Sequence, residues 1–558
     1  MKHLRKIMAL VLSLAMVLAM SITVFAGEVT ATVANNTNHA YKAYQVFKGT
    51  QQENSKVLGD IEWGNGVVES TIKTKLSSST YFQGATTAQQ VADILKKGES
   101  YNCPEAKEFA RIANDSISNN AVDVAANAGS VTLTAGTGYY LFVDQTTKNN
   151  ENKNDFVKGL SLLQVTGDTI TITAKVDKPS VEKKVQENVK TGNTTDNYGD
   201  KYNDTADYNI GDNVPFRLYG TVIDMSEFQN GYKYVFHDTA ATSLDINKDA
   251  KVYYSSDKEG RNKTDIDSSL YHVEYGTDNH SLTVTFNNLR AVKIKNSENS
   301  DVEISSGYII VEYTAKLNSS AAIGQGTIGE TKEGNINKVY LEYSNNPNQS
   351  GEGQPETGNT PEDKVIVFTY ELDVTKIDGA DKNKPSEQQK KLKDAEFVLY
   401  RGTAASPEYA KVDANAKIQE WTNDINNATT LKSDVNGLFK VIGLDDGTYY
   451  LKETKAPNGY NVLKNDIKVQ IKADTSNGQN GNGGVAELKT LKVNVNDESD
   501  KDASLSTGII NITVENNQGS LLPETGGIGT TIFYIVGVVL VLGAGVLLVT
   551  KKRMNADK

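Results

Sequence analysis

Side chains two residues apart share one face of a β-strand, and much of this chain is written in runs that keep that period. "GYKYVFHDTA", "HSLTVTFNNL", "SGYIIVEYTAKL" and "GTYYLKET" are examples. Thr, Asn, Val and Tyr recur in such runs, and turn signals break the chain between them. The pattern predicts a mainly β protein built from antiparallel sandwiches. Helical periodicity is confined to the first segment. There "TTAQQVADILKKGES" sets Val91, Ile94 and Leu95 on one face, and "NCPEAKEFARIANDS" does the same for Phe109 and Ile112.

Both ends point to export. Lys2, Arg5 and Lys6 precede an apolar stretch from Ile7 to about Val24, and Ala26-Gly27 offers a small-residue cleavage site, so residues 1–26 read as a secretory signal peptide. At the other end Leu522-Pro523-Glu524-Thr525-Gly526 precedes an uncharged apolar run from about Ile528 to Thr550, and Lys551, Lys552 and Arg553 follow at once. About 20 apolar residues cross a bilayer core, and the basic stop keeps the tail on the cytoplasmic side.

The middle is long enough for three or four domains. A net charge of -12 argues against a nucleic-acid partner. Cys103 is the single cysteine, so an exported chain here has no intrachain disulfide. The five histidines form no metal-spaced cluster, no nucleophile elbow is present, and Cys103 lacks a nearby His motif. We therefore expect no metal site, no cofactor and no enzyme.

Four boundaries organise the exported part. Residues 27–176 carry the helical pattern. Residues 177–370 open after "KVDKP", where Pro179 stiffens a junction. Residues 371–518 run from "ELDVTKID" to "NITVENN", and 519–558 hold the C-terminal signal. "NPNQSGEGQPETGNTPEDK" reads as a long exposed loop; its "QPETG" at 354–358 has Gln354 in place of leucine and no apolar span after it.

Strand period exposes an oddity in the last two segments. Leu372, Val374 and Lys376 share a face, as do Tyr449, Leu451 and Glu453, and Ile512, Val514 and Asn516. Val181, Lys183 and Val185 align, which selects Lys183 over Lys184. Tyr234, Phe236 and Asp238 align too. Asn337 and Asn345 both fall in phase with Val339, Leu341 and Tyr343. Lysine and acidic side chains are almost never fully buried unless paired, and burying them as ions costs several kcal/mol apiece.

The C-terminal order of pentapeptide, apolar span and basic stop resembles the cell-wall sorting signal of Gram-positive surface proteins. That resemblance implies a sortase that cleaves between Thr525 and Gly526 and holds Thr525 as a thioester. "DVTKID", "YYLKETKAPNGY" and "TVENN" resemble, in order, the Cna-B-type domain that forms a spontaneous Lys–Asn isopeptide bond. It implies Lys376 as nucleophile, Asn516 as acceptor and Glu453 as catalytic acid, the acid donating a hydrogen bond to the Asn carbonyl. Residues 177–370 are similar to the D2 domain of fimbrial backbone proteins, which implies Lys183, Asp238 and Asn337, with Asn345 as the alternative acceptor. The expected fold is a tandem of immunoglobulin-like sandwiches of Cna-A and Cna-B type, with some helix in the N-terminal domain. There "GYYLFVD" echoes "TYYLKET", but Val143 stands where Glu453 stands, so no equivalent bond is expected. Fimbrial backbone proteins also carry a pilin lysine near the end of their first domain. "ITITAKVDKPSVEKKV" puts Lys175 in that place, with Lys178 as the alternative.

The resemblance implies the backbone subunit of a covalent pilus on the Gram-positive cell wall, a structural protein. Its implied partners are a sortase, identical subunits, ancillary pilins, peptidoglycan and, through its variable loops, a host-surface or matrix ligand that the sequence does not name. The alternative is an adhesin of the same domains, singly anchored and not polymerised.

Overall fold

The computed structural model describes residues 31–51, 55–98, 103–147, 155–174, 177–188, 202–228, 230–295, 298–325, 334–349, 356–476, 487–519 and 528–554. The expected signal peptide, Lys175 and the pentapeptide Leu522 to Gly526 lie outside them. The chain is mainly β, in three successive sets of sheets and a C-terminal helix.

In the first set, Tyr41–Gln51 and Gly138–Asp144 pair at the centre of a five-stranded sheet. Alternation splits this sheet between two cores. Leu141 faces the helices Glu69–Ser78, Ala88–Lys96 and Pro104–Asn114, packing with Ile72, Val91, Phe109 and Ile112. Tyr140 and Phe142 face the opposite way, toward Val33 and Ile172 of a small three-stranded sheet. A register shift between Gln45 and Phe47 turns Phe47 to the helical side. The helices start where local chemistry lets them. Thr87 and Gln90 form a reciprocal capping box, and Pro104 occupies a first-turn position, where its missing N–H costs nothing.

The second set is a sandwich of two seven-stranded sheets. One contains Val181–Gln186, Asn213–Thr221 and Tyr308–Leu317; the other contains Tyr234–Ala240, Asn335–Ser344 and Asp363–Phe368. The segment expected to be a loop is not wholly one. Thr357–Asn359 pairs with Glu342–Ser344, so Thr357 and Gly358 of "QPETG" extend the sheet edge.

The third set places a three-stranded sheet, Leu438–Leu444, Tyr370–Asp378 and Ile509–Asn516, against an eight-stranded one that includes Glu396–Thr403 and Gly447–Lys455. Tyr370–Asp378 and Ile509–Asn516 run parallel. One apolar core continues from the second set into the third, through Ile210, Phe368, Tyr370 and Leu444. Gly443, at φ +99°, lies against Ile210, whose backbone N–H donates to the Gly443 carbonyl at 2.9 Å.

The helix Ile528–Met554 has 27 residues and exposed apolar side chains, and an 18-residue stretch within it reaches a mean hydropathy of 2.9. At 1.5 Å per residue it is about 40 Å long, enough to cross a membrane.

Candidate functional site: two buried lysine–carboxyl–asparagine clusters

In the third set, Lys376 stands opposite Val514 in the parallel ladder, and Asn516 lies two residues further along the same face. Diagonal neighbours of this kind are within reach of long side chains. Glu453 comes from the facing sheet. The Lys376 and Glu453 side chains are 0 % exposed, and Lys376 Nζ is 3.4 Å from Glu453 Oε1. Phe397 covers the amine, with its ring centre 5.3 Å away. Burial holds Lys376 down to about 8, against the pull of the Glu453 charge. Asn516 Nδ2 donates to Glu453 Oε2 at 2.9 Å and to the Asn461 carbonyl at 2.6 Å. Glu453 Oε2 also accepts from the Leu463 backbone N–H at 2.7 Å. Lys376 Nζ, Glu453 Oε1 and Asn516 Oδ1 have no hydrogen-bond partner among the described residues.

This arrangement differs from the expected one in one respect. The carboxyl faces the amide nitrogen of Asn516, not its carbonyl oxygen. The reason is Asn461, whose backbone carbonyl can accept only from N–H and so fixes which end of the amide points inward. Glu453 thus touches the amine nitrogen with one oxygen and the amide nitrogen with the other.

The second set builds a similar cluster across the sandwich. Lys183 projects from one sheet; Asp238 and Asn337 project from neighbouring strands of the other, Asp238 opposite Val339 and Ala240 opposite Asn337. Lys183 Nζ pairs with Asp238 Oδ2. Burial pushes the Lys183 amine down and the Asp238 carboxyl up. Phe216 and Tyr313 rings lie 5.3 and 5.2 Å from the amine. Sequence reasoning missed Tyr313. Its hydroxyl accepts from Lys183 Nζ at 2.7 Å and from Asn337 Nδ2 at 2.8 Å, and donates to Asp238 Oδ1 at 2.9 Å. The available signal was a phenol in phase with Ile309, Val311, Ala315 and Leu317 on a buried strand face. Asn337 Oδ1 has no partner among the described residues.

Three other residues weighed in the sequence are placed elsewhere. Asn345 follows the end of the strand that carries Asn337. Eight residues of extended chain put it roughly 26 Å away, where its backbone pairs with Glu356 and Lys158. Lys184 pairs with Asp204 on the other face of its strand. Lys178 pairs with Asp155, whose other oxygen accepts from the Tyr343 hydroxyl at 3.0 Å.

In the first set Val143 packs at the edge of the helical core. The adjacent Asp144 engages His39 Nδ1 at 2.6 Å and the Thr146 backbone and hydroxyl. No metal-ligand set was legible in the sequence, yet the junction of the second and third sets brings carboxyl oxygens of Glu187, Asp207 and Asp446 within 4.8 Å of one another. Burial pushes Asp207 up to about 6 and Asp446 up to about 10, so protonation relieves the crowding of charge.

Comparison with known proteins defines the class. Residues 374–482 match the SpaA prealbumin-like fold domain, and residues 514–556 match the LPXTG cell wall anchor motif. The chain is therefore a surface protein attached to the cell wall. It is similar to the trypsin-resistant surface T6 protein of Streptococcus pyogenes serotype M6, at 23% identity over 294 residues, 44% of this chain and 48% of that one. It thus spans about half the length of the curated relative it matches. Among solved structures, the T6 backbone pilin of S. pyogenes aligns at 15% identity over 88% of this chain and 98% of that one, with a TM-score of 0.46. The group B streptococcus pilus 2b backbone protein aligns at 25% identity over 56% and 96%, with a TM-score of 0.37. The major pilin SpaD from Corynebacterium diphtheriae aligns at 15% identity over 88% and 98%, with a TM-score of 0.44.

Proposed function

We propose that this chain is the backbone subunit of a covalent pilus, joined between subunits by a sortase and reinforced within each subunit by two Lys–Asn isopeptide bonds. The observation that carries the reading is the pair of buried clusters. Each sets an amine, a carboxyl and an amide in one water-excluded pocket, and leaves buried polar atoms unpaired in a way that folding alone does not reward. The wall anchor and the similarity to the T6 surface protein are consistent with it.

The chemistry follows from the burial. Desolvation favours a neutral amine, which is nucleophilic. In the third set, Lys376 Nζ gives a proton to Glu453 and attacks Asn516 Cγ. The tetrahedral centre then collapses as a proton reaches Nδ2, the Cγ–Nδ2 bond breaks, and ammonia leaves. Glu453 spans both nitrogens, so it serves as base to one and acid to the other. The product is a neutral amide, which removes the cost of a buried ammonium.

Between subunits, the Thr525 thioester on the sortase is attacked by Lys175, with Lys178 as the alternative. An exposed lysine is protonated near neutral pH, so the sortase supplies the base. Two measurements test the reading. The folded chain should be lighter by two ammonia molecules than its sequence, and cells should yield a ladder of high-mass species on denaturing gels. An unmodified mass would rule out the internal bonds. Absence of the ladder with the internal bonds intact would leave a singly anchored adhesin.

A further inference from the structure

The two clusters differ by one methylene and one hydroxyl. Glu453 reaches from the lysine nitrogen to the asparagine nitrogen by itself. Asp238 is shorter; it holds Lys183 with Oδ2, but it meets Asn337 only through the Tyr313 hydroxyl. We propose that Tyr313 is a catalytic residue of the second cluster, relaying the proton from the attacking lysine nitrogen to the leaving nitrogen of Asn337. The proposal rests on the isopeptide reading above.

The geometry fixes each step. Lys183, as an ammonium, first gives one proton to Asp238 Oδ2. The neutral amine attacks Asn337 Cγ, forming the Nζ–Cγ bond while the carbonyl π pair moves onto Oδ1, so Nζ becomes positive and Oδ1 negative until the carbonyl re-forms. One Nζ proton passes to the Tyr313 oxygen, 2.7 Å away, while the phenolic proton passes to Nδ2, 2.8 Å away. The Cγ–Nδ2 bond breaks and ammonia departs. The phenol ends as it began, the third lysine proton stays on the new amide, and Asp238 ends protonated. Tyr313 exchanges one proton for another, so no phenolate accumulates. This matters because burial pushes the pKa of the Tyr313 phenol well above its ordinary value, so the residue does not stand ready as a phenolate base. Before the attack the hydroxyl donates to Asp238 Oδ1 and accepts from Nδ2, so it turns from Oδ1 to Nδ2 to deliver its proton once the attack has freed a lone pair on that nitrogen.

The test is Tyr313→Phe in the full-length chain, with peptide mapping to locate each cross-link and time points after folding. The third cluster serves as the internal control. We expect Lys376–Asn516 to form normally and Lys183–Asn337 to form on the order of 10²-fold more slowly, the usual contribution of one proton-transfer group. We further expect Tyr313→Phe combined with Asp238→Glu to recover the bond, because the longer carboxyl then spans both nitrogens as Glu453 does. A Tyr313→Phe chain that cross-links at the parent rate overturns the relay. So does a folded double variant that fails to recover, or a Tyr313→Phe chain whose second sandwich does not fold, since the hydroxyl would then serve folding. If the parent chain itself lacks the Lys183–Asn337 bond, the underlying reading fails instead.

Discussion

Lys376 and Asn516 lie on the first and last strands of their sheet, side by side and parallel, with Val514 directly opposite the lysine and the asparagine one pleat beyond. A bond between them closes about 140 residues of chain. By the loop-entropy argument used for disulfides, that closure is worth on the order of 5 kcal/mol. Asn516→Ala should therefore lower the unfolding midpoint of the third set markedly and restore the mass of one ammonia.

Glu453→Ala separates folding from chemistry. The nucleophile and acceptor remain, and the parallel ladder does not depend on the acid. We expect a chain that folds, retains the Lys183–Asn337 bond and lacks the one from Lys376. A Lys376–Asn516 cross-link found intact by peptide mapping would remove the assigned role.

The choice of acceptor in the second set is equally open to measurement. Asn337→Ala should leave the chain lighter than its own sequence by one ammonia and not two, and Asn345→Ala should leave the two-ammonia loss unchanged. The reverse pattern would move the bond to the far end of the strand.

The rate of bond formation should carry the signature of the lysine. With Lys376 near 8 and not 10.5, its neutral fraction rises steeply to about pH 8 and then levels. At pH 6 only about 1% of the amine is neutral. The same shift has a linkage consequence in Asn516→Ala, where the lysine persists. The unfolded chain binds the proton more tightly than the folded one, so stability rises with pH between about 8 and 10.5. Chemical denaturation at a series of pH values reads it directly.

Much of this was legible in the sequence because strand period is a local rule. Lys183, Asp238, Lys376, Glu453 and Asn516 each interrupt an apolar face, so each announced its own burial. The period could not choose between Asn337 and Asn345, since both keep the phase; register against Tyr234–Ala240 is what sets Asn337 beside the strand of Asp238. Tyr313 carried almost no signal, because a tyrosine on a buried face is ordinary and its contacts come from three other strands. The same holds for Asn461, whose backbone carbonyl orients the Asn516 amide. The edge strand Thr357–Asn359 was missed because three residues between turn signals show no period.

Assembly supplies the last prediction. On the proposed reading Thr525 becomes an electrophile at the membrane, where the apolar helix and the basic residues Lys551, Lys552 and Arg553 hold the precursor beside a sortase. Lys175 falls between Ile172, buried in the first set, and Val181, which begins the second. Two sets of sheets sharing a continuous apolar core lie between it and Thr525. On the proposed reading, joining one subunit's end to the next gives a heterologous contact that does not close. In such a fibre tension would pass through the second and third sets, where the proposed bonds lie. Lys178 is engaged by Asp155, whose other oxygen accepts from the Tyr343 hydroxyl. Lys175→Ala should abolish the polymer ladder while leaving monomer on the wall, and Lys178→Ala should leave the ladder intact. A ladder lost only with Lys178→Ala would transfer the role to that residue, and a ladder surviving both changes would place the linkage on another amine.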